Sequence, residues 1–555
     1  MKNLKNLIVL LLCVFVNFTF AKDIEVTSGE NYFSVTNKSV TDFTFINSLS
    51  DVDAVVVKTE NGEFVKLVIP SYDSDAASGD AELPVLKKLI RVPFGSEIIV
   101  KVLNKEEKII NLSDFGYNLD VFPNQPSVSK RDNAEDIPFY YNNQFYTIND
   151  FMGNNLVKTE LLGKMRGQQL ARLSVSPISY NPVTNQLKVV TKVEIKIIFK
   201  NVNISEDIEN RKKYYSSEFE SLFKRCVNHT PIAEKDVITT YPVKYVIISD
   251  PMFQTVLEPF VDWKTKKGFL VVEEYTNNPL VGNTTASIHA FIKDMYDNAT
   301  PQNPAPTYLL VVGDFGNVTS FSGTTGSHVS DMYYCEFDGG GDFYPEMYYG
   351  RFSGISIEQV QNQVEKTLKY EQYLLSDFSY LDEVVLVAGV DGSFAPIHGN
   401  GQINYGTDNY FNIAHNLTVH NYLYGSGTPI TSDMSQASSS IISDVSNGVG
   451  FANYTAHCGS SGWSDPSFEV SDVSGLQNYD QYGFMVGNCC LSNKFDDPVC
   501  FGESLLRAED KGAVGYVGGS NNTYWDEDFW WAVGNTSNIT ANPSYAATGL
   551  AIYDS

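Results

Sequence analysis

The chain runs to 555 residues, 43% of them hydrophobic and 13% aromatic. That excludes a disordered protein and exceeds what one core usually holds, so two or more domains are expected. A formal net charge of −27 argues against nucleic acid or an anionic lipid surface as partner, and seven cysteines are too few for a disulfide scaffold of this length.

Residues 1–21 read as a targeting segment. Lys2 and Lys5 supply a positive start, residues 7–20 are almost wholly apolar, and Ala21 closes a small-residue cleavage site. The apolar run falls short of the ~20 residues of a membrane span, and no later stretch reaches it. An exported chain without a membrane span is expected.

From 22 to about 200, short alternating strands broken by turn clusters predict an all-β domain. DAVVVKTENGEFVKLVI carries a hairpin signal at Asn61 and Gly62. SYNPVTNQLKVVTKVEIKIIF has an Asn-Pro turn before two strands. Between 201 and 235 the composition turns charged, which reads as a solvated connector with basic cleavage points at Lys224, Arg225 and Lys235.

Beyond the connector, strand and helix alternate. YPVKYVIIS is a strand, FQTVLEPFVDWKTKKGF an amphipathic helix and FLVVEEY a strand. TTASIHAFIKDMYDNA is a helix with a threonine start and TYLLVVGDFG a buried strand. SIEQVQNQVEKTLKYEQYLL is a long helix and DEVVLVAGVDG another strand. This alternation predicts an α/β fold with a largely parallel sheet covered by helices on both faces, and ligands at the carboxyl ends of its strands. Asp314, Asp391, His457 and Cys490 all fall where a strand ends.

Two strings hold the chemistry: FANYTAHCGS around His457 and GFMVGNCCLS around Cys490. A histidine and a thiol at one sheet edge can make a thiolate nucleophile with its proton acceptor beside it. Alone, a strand-end histidine is more often structural, and a Cys-Cys pair is more often packing or a disulfide. Cysteine parity favours a free thiol. With Cys13 in the targeting segment and Cys226 near the connector, Cys335, Cys458, Cys489, Cys490 and Cys500 remain, an odd number. Asp391 could fix the tautomer of an imidazole, or simply form a turn before glycine. Trp525, Asp526, Glu527 and Asp528 read either as a solvated loop capping a helix or as an acidic, indole-walled pocket for a cationic side chain.

The carboxyl half, roughly 241–555, resembles the gingipain family of secreted cysteine peptidases, its Lys-specific members more than its Arg-specific ones. The strings carrying the resemblance include PVKYVIISD, FVDWKTKKGF, DMYYCEFDGGGDFYPEMYYGRFS, FANYTAH, GNCCLSNKFD, CFGESLLRAEDKGAVGYVGGS and NNTYWDEDFWWAVG. LPVLKKLIRVP and SPISYNPVTNQL resemble the family's β-rich inhibitory propeptide more loosely. The resemblance implies a caspase-type three-layer α/β sandwich in two subdomains behind an all-β propeptide. It implies Cys490 as nucleophile, His457 as acid/base and Asp391 as the carboxylate orienting the histidine. Asp528 would form the base of a lysine-accepting pocket, with Trp525 as a wall and Thr455 nearby, and the amides of Cys458 and Cys490 would bind the oxyanion. Three features depart from the family pattern. Cys458 stands where a glycine usually follows the histidine, so a redox-sensitive thiol could border the oxyanion site. Gln402 stands where Arg-specific members have an acid. The chain also stops at Ser555, before the family's last catalytic elements, immunoglobulin-like module and sorting domain.

The expected organisation is a signal peptide at 1–21, an inhibitory propeptide and basic linker at 22–235, and a peptidase domain at 236–555, truncated at its end. The expected function is a secreted or surface cysteine endopeptidase made as a zymogen, cleaving proteins and peptides after basic residues, Lys favoured, with its own propeptide as inhibitor. No cofactor is required; structural calcium fits the family and the acidic surface, although no loop has EF-hand spacing. A catalytically degenerate binding or adhesion protein is the rival from another class. A metal site built from Cys458, Cys489, Cys490 and His457 is a weaker rival, because adjacent cysteines seldom ligate one ion. The amino half could instead be an independent β-sandwich binding module.

Overall fold

The computed structural model describes residues 22–231, 242–325, 328–339, 341–549 and 551–554. The expected targeting segment and Lys235 lie outside them.

The amino half is built from antiparallel strands, as its alternating pattern predicts. β1 (Tyr32–Lys38) and β2 (Asp42–Ser48) join a five-stranded sheet. β3 (Asp51–Thr59) and β4 (Gly62–Val68) form a hairpin in which Thr59 lies opposite Gly62, at φ 130°, a backbone region only glycine enters without strain. β5 (Pro84–Val92) pairs with β8 (Gln168–Val175), which in turn pairs with β7 (Val157–Met165). β6 (Glu97–Asn111) and β10 (Gln186–Lys200) are both 15 residues long and run antiparallel, with β9 (Ile178–Asn181) paired to the first four residues of β10 on its other edge. The two strands expected after the Asn-Pro turn are therefore one continuous strand. Its two register irregularities against β6 absorb the twist without ending the ladder. Inward residues of these sheets, among them Phe43, Phe45, Leu173, Val193 and Ile195, share one core.

The expected solvated connector is partly ordered. α1 (Ile204–Lys213) starts on an Asn203 side-chain cap and α2 (Ser217–Phe223) buries Phe219 and Phe223. Arg91 reaches across to pair with buried Asp207, so charged residues here serve packing as well as solubility.

The carboxyl half contains two all-parallel sheets rather than one. The first runs β12 (Leu270–Tyr275), β11 (Lys244–Ser249), β13 (Pro306–Val312), β14 (Tyr348–Phe352). The second runs β16 (Thr418–Tyr422), β15 (Glu383–Ala388), β17 (Phe451–Thr455), β18 (Gly483–Asn488), β19 (Ala513–Gly518). This is the two-subdomain arrangement that the family resemblance implied.

Each sheet is covered on both faces, and strand alternation decides which side chain meets which helix layer. In β11, Val246 and Ile248 pack toward α4 (Thr285–Asp297), while Ile247 packs toward α3 (Gln254–Lys266) and α5 (Ile357–Glu371). In β15, Val385 and Val387 face α7 (Met434–Ser446) and α8 (Phe501–Arg507). Val384, Leu386 and Ala388 face Ile403 of α6 (Asn400–Asn409). α9 (Trp525–Val533) closes the sequence of major elements and packs on α6 through Phe529 and Tyr405. No described helix is long and apolar enough to cross a membrane.

Candidate active site

Three neighbouring strands of the second sheet finish level. Ala388 of β15 lies beside Thr455 of β17, which lies beside Asn488 of β18. Asp391, His457 and Cys490 follow within three residues of those ends, so all three emerge at one rim. His457 Nε2 is 2.9 Å from Asp391 Oδ2. The other carboxylate oxygen of Asp391 accepts the amides of Ser393 (2.8 Å) and Phe394 (2.7 Å). Burial pushes the Asp391 carboxyl up, but the His457 hydrogen bond and the two amides outweigh it and hold the group below the usual carboxylate value. With Nε2 engaged, Nδ1 is the imidazole nitrogen left for chemistry at the rim. The ring stands edge-on to Trp525, centroids 5.6 Å apart.

Cys490 is buried and unpaired. Its Sγ accepts the Thr523 amide at 3.3 Å. The next residue, Leu491, sits at φ 59°, a left-handed turn that a branched side chain enters only when its surroundings impose it. Among the described residues no hydrogen bond joins the His457 ring to Cys490. Cys458 and Cys489 form a disulfide, with Cα atoms 5.5 Å apart. The free thiol anticipated at Cys458 is therefore absent. The four-ligand metal site loses two of its donors to the same bond, and among the described residues no cluster of three or more His, Cys, Asp or Glu side chains suits a metal ion.

Beside this rim lies an occupied socket. Lys130, from the amino half, has a fully buried side chain, and its Nζ is 2.6 Å from Asp528 Oδ2. It donates to Thr455 Oγ1 (3.1 Å) and to the Asn488 carbonyl (2.8 Å), and lies 4.7 Å from the centre of the Trp525 ring. An ammonium has three N–H groups, and three acceptors surround it here. Asp528 Oδ2 has no aligned hydrogen-bond donor among the described residues, and the Lys130 ammonium is the cation that faces it. Gln402, fully buried, donates to Thr455 Oγ1 (3.1 Å) and accepts from Asn488 Nδ2 (3.0 Å), and Asn488 also donates to the Asp528 carbonyl (2.9 Å). The socket wall is thereby cross-linked.

The backbone around Lys130 lies along residues 523–525 through an isolated antiparallel bridge. Lys130 N donates to the Thr523 carbonyl (2.9 Å), Trp525 N donates to the Val128 carbonyl (3.0 Å), and Ser129 pairs with Tyr524. Thr523 thus touches the occupant through its carbonyl and Cys490 through its amide.

The acidic string around Trp525 is the first turn of α9, not a solvated loop, and its carboxylates divide. Asp528 enters the socket, Asp526 pairs with His398 (2.9 Å), and Glu527 accepts from Ser127 Oγ of the amino half. Asp314 ends a strand as expected, but in the first sheet, where it pairs with Arg507 (3.3 Å) away from the rim. Lys130, Gln402's wall role, Thr523 and His398 were not found as site residues from sequence. For Lys130 the available signal was a basic dipeptide, Lys130 and Arg131, inside an otherwise polar stretch of the amino half.

A profile of Peptidase family C25 matches residues 238–551, and a Propeptide_C25 profile matches residues 20–224. Lys-gingipain of Porphyromonas gingivalis is 36% identical over 524 residues, covering 94% of this chain and 29% of that protein. Gingipain R1 of Porphyromonas gingivalis is 26% identical over 551 residues, covering 95% of this chain and 52% of that protein. A solved structure described as "Structure of Protease" shares 37% identity at a TM-score of 0.52, over 56% of this chain and 67% of that one. The chain thus spans less than a third of the length of the Lys-gingipain it matches.

Proposed function

The chain belongs to peptidase family C25, and from that membership we propose that it is a secreted cysteine endopeptidase, made as a zymogen, that cleaves after lysine. Cys490 as thiolate attacks the scissile carbonyl, and the developing oxyanion is met by the amides of Cys490 and Cys458. His457, oriented through Nε2 by Asp391, gives its proton to the leaving amine and then activates water against the thioester. Asp391 remains ionised and holds the ring.

The single observation that carries the lysine preference is the seating of Lys130. A lysine side chain fills the socket with an ion pair, two hydrogen bonds and an indole face, and its backbone adds to the chain segment next to the thiol. β-Strand addition with a side-chain pocket is a general way of reading an extended peptide. The amino half occupies that position, which supports its role as the inhibitor of its own peptidase. The apolar start at 1–21 supports export.

Profiling a peptide library with the activated full chain tests this reading. Cleavage concentrated after lysine, and lost in Cys490→Ala, is expected. Equal cleavage after neutral residues, or turnover retained without Cys490, would overturn it.

A further inference from the structure

The ladder between β17 and β18 ends at Thr455 and Asn488, and His457 and Cys490 both lie beyond it. Past that last pair, parallel pairing no longer fixes one rim against the other. His457 is held from its own side: its carbonyl accepts the Ser464 amide (3.0 Å) and the Tyr454 hydroxyl (2.9 Å), and its ring binds Asp391. Cys490 is held from the opposite side, by Thr523 and by the Leu491 amide, which donates to Asn521 (3.1 Å). Among the described residues the one disulfide between the two sides is the bond from Cys458, the residue after the histidine, to Cys489, the residue before the nucleophilic thiol.

We propose that the Cys458–Cys489 disulfide is a positioning element that sets His457 against Cys490 and makes the peptidase sensitive to dithiols. This rests on the reading of Cys490 and His457 as a dyad. Among the described residues no hydrogen bond draws imidazole and thiol together, so their separation depends on the backbones that carry them. A tether across flanking residues restricts that separation more directly than any contact on either side, and misplacement by about 1 Å costs roughly a hundredfold in rate.

The link is also reachable. Cys458 is partly exposed whereas Cys489 is fully buried. One thiolate of a dithiol reductant attacks the Cys458 sulfur, and Cys489 leaves as thiolate and takes up a proton. The second thiolate of the reductant then displaces Cys458, which is protonated in turn, and the reductant departs as a cyclic disulfide. Two electrons pass from the dithiol to the protein, and Cys490 is unchanged.

The test uses the full chain with Lys130→Ala to empty the socket. Its kcat and KM on a lysine peptide are compared with those of the same chain carrying Cys458→Gly and Cys489→Ala, each before and after dithiothreitol. Alkylation and mass spectrometry count the free thiols. We expect kcat to fall about tenfold or more in the double variant with KM within twofold. We also expect dithiothreitol to bring the parent down to that level and to leave the double variant unmoved. An unchanged kcat in the double variant, or equal responses of both chains to dithiothreitol, would overturn the proposal. Should the double variant not fold, reduction of the parent alone decides. Loss of kcat in step with two new alkylated thiols at Cys458 and Cys489 supports the tether, and full kcat with both alkylated refutes it. Cys490→Ala in the same background separates the premises. If it is inactive while the untethered chain keeps full kcat, the dyad stands and only the tether fails; if it is active, the dyad itself fails.

Discussion

The two parallel sheets of the carboxyl half place acidic and basic groups at their strand ends in opposite ways. At the end of β13 in the first sheet, Asp314 pairs with Arg507, which also binds Glu503 at 2.5 Å, and Glu503 accepts Ser353 Oγ (2.5 Å) and the Cys500 amide (2.9 Å). Every partner there belongs permanently to the fold. At the rim of the second sheet, His457 has one nitrogen engaged, the Cys490 thiol meets Thr523 alone among the described residues, and Asp528 faces a lysine of the amino half. A strand end becomes a site where its polar groups lack permanent partners, not merely where they are polar.

Substitutions should separate the two regions. Cys490→Ala should have the largest effect, removing turnover of lysine peptides by about 10³-fold or more, because no other described group at the rim can take the nucleophile's place. Asp528→Asn should lower kcat/KM for lysine peptides by roughly 10²–10⁴-fold, because a buried pair that loses one charge costs ~3–5 kcal/mol. A loss equal for neutral and lysine substrates would remove Asp528 from the socket. Lys130→Ala should raise the activity of the unprocessed chain by at least about tenfold, since the indole, Thr455 and Asn488 would be freed for an incoming lysine. Continued latency would place the inhibitory contact elsewhere. Glu503→Gln should do the reverse of these. It should destabilise the fold by ~1–3 kcal/mol in denaturant titration through a buried hydrogen-bond network, with kcat and KM unchanged.

Asp391 gives the smallest and most pH-dependent effect. Its folded carboxyl titrates below the unfolded value of about 3.9, so its ionised form stabilises the folded state above that pH. The contribution is lost as pH falls through the folded value. Asp391→Asn should therefore lower the melting temperature at neutral pH, and the gap should close in strong acid. A gap that widened in acid would contradict the assignment.

The architecture and most of the rim were legible because strand-end placement follows from hydrophobic pattern. β15, β17 and β18 read as buried runs, and Asp391, His457 and Cys490 fall where those runs stop. The gingipain resemblance gave Asp528 and Trp525 their roles, which the residues alone left as a solvated loop capping a helix or a pocket, and it alone brought in Thr455. Lys130 was not legible. It reaches Thr455 from 325 residues away, and nothing local distinguishes it from any solvated lysine. The Cys458–Cys489 pairing was equally hidden, because counting cysteines bounds how many thiols are free but not which ones bond. α1 and α2 were read as connector because their charged residues find buried partners only in three dimensions, as Asp207 does with Arg91.

The most direct measurement is labelling of the full chain, with and without Lys130→Ala, by a thiol-reactive reagent carrying a lysine side chain, followed by peptide mapping. An adduct is expected on Cys490, slow to form in the parent, fast once Lys130 is removed, and suppressed by Asp528→Asn. An adduct on another cysteine, or Cys490 labelling at one rate in all three chains, would contradict it.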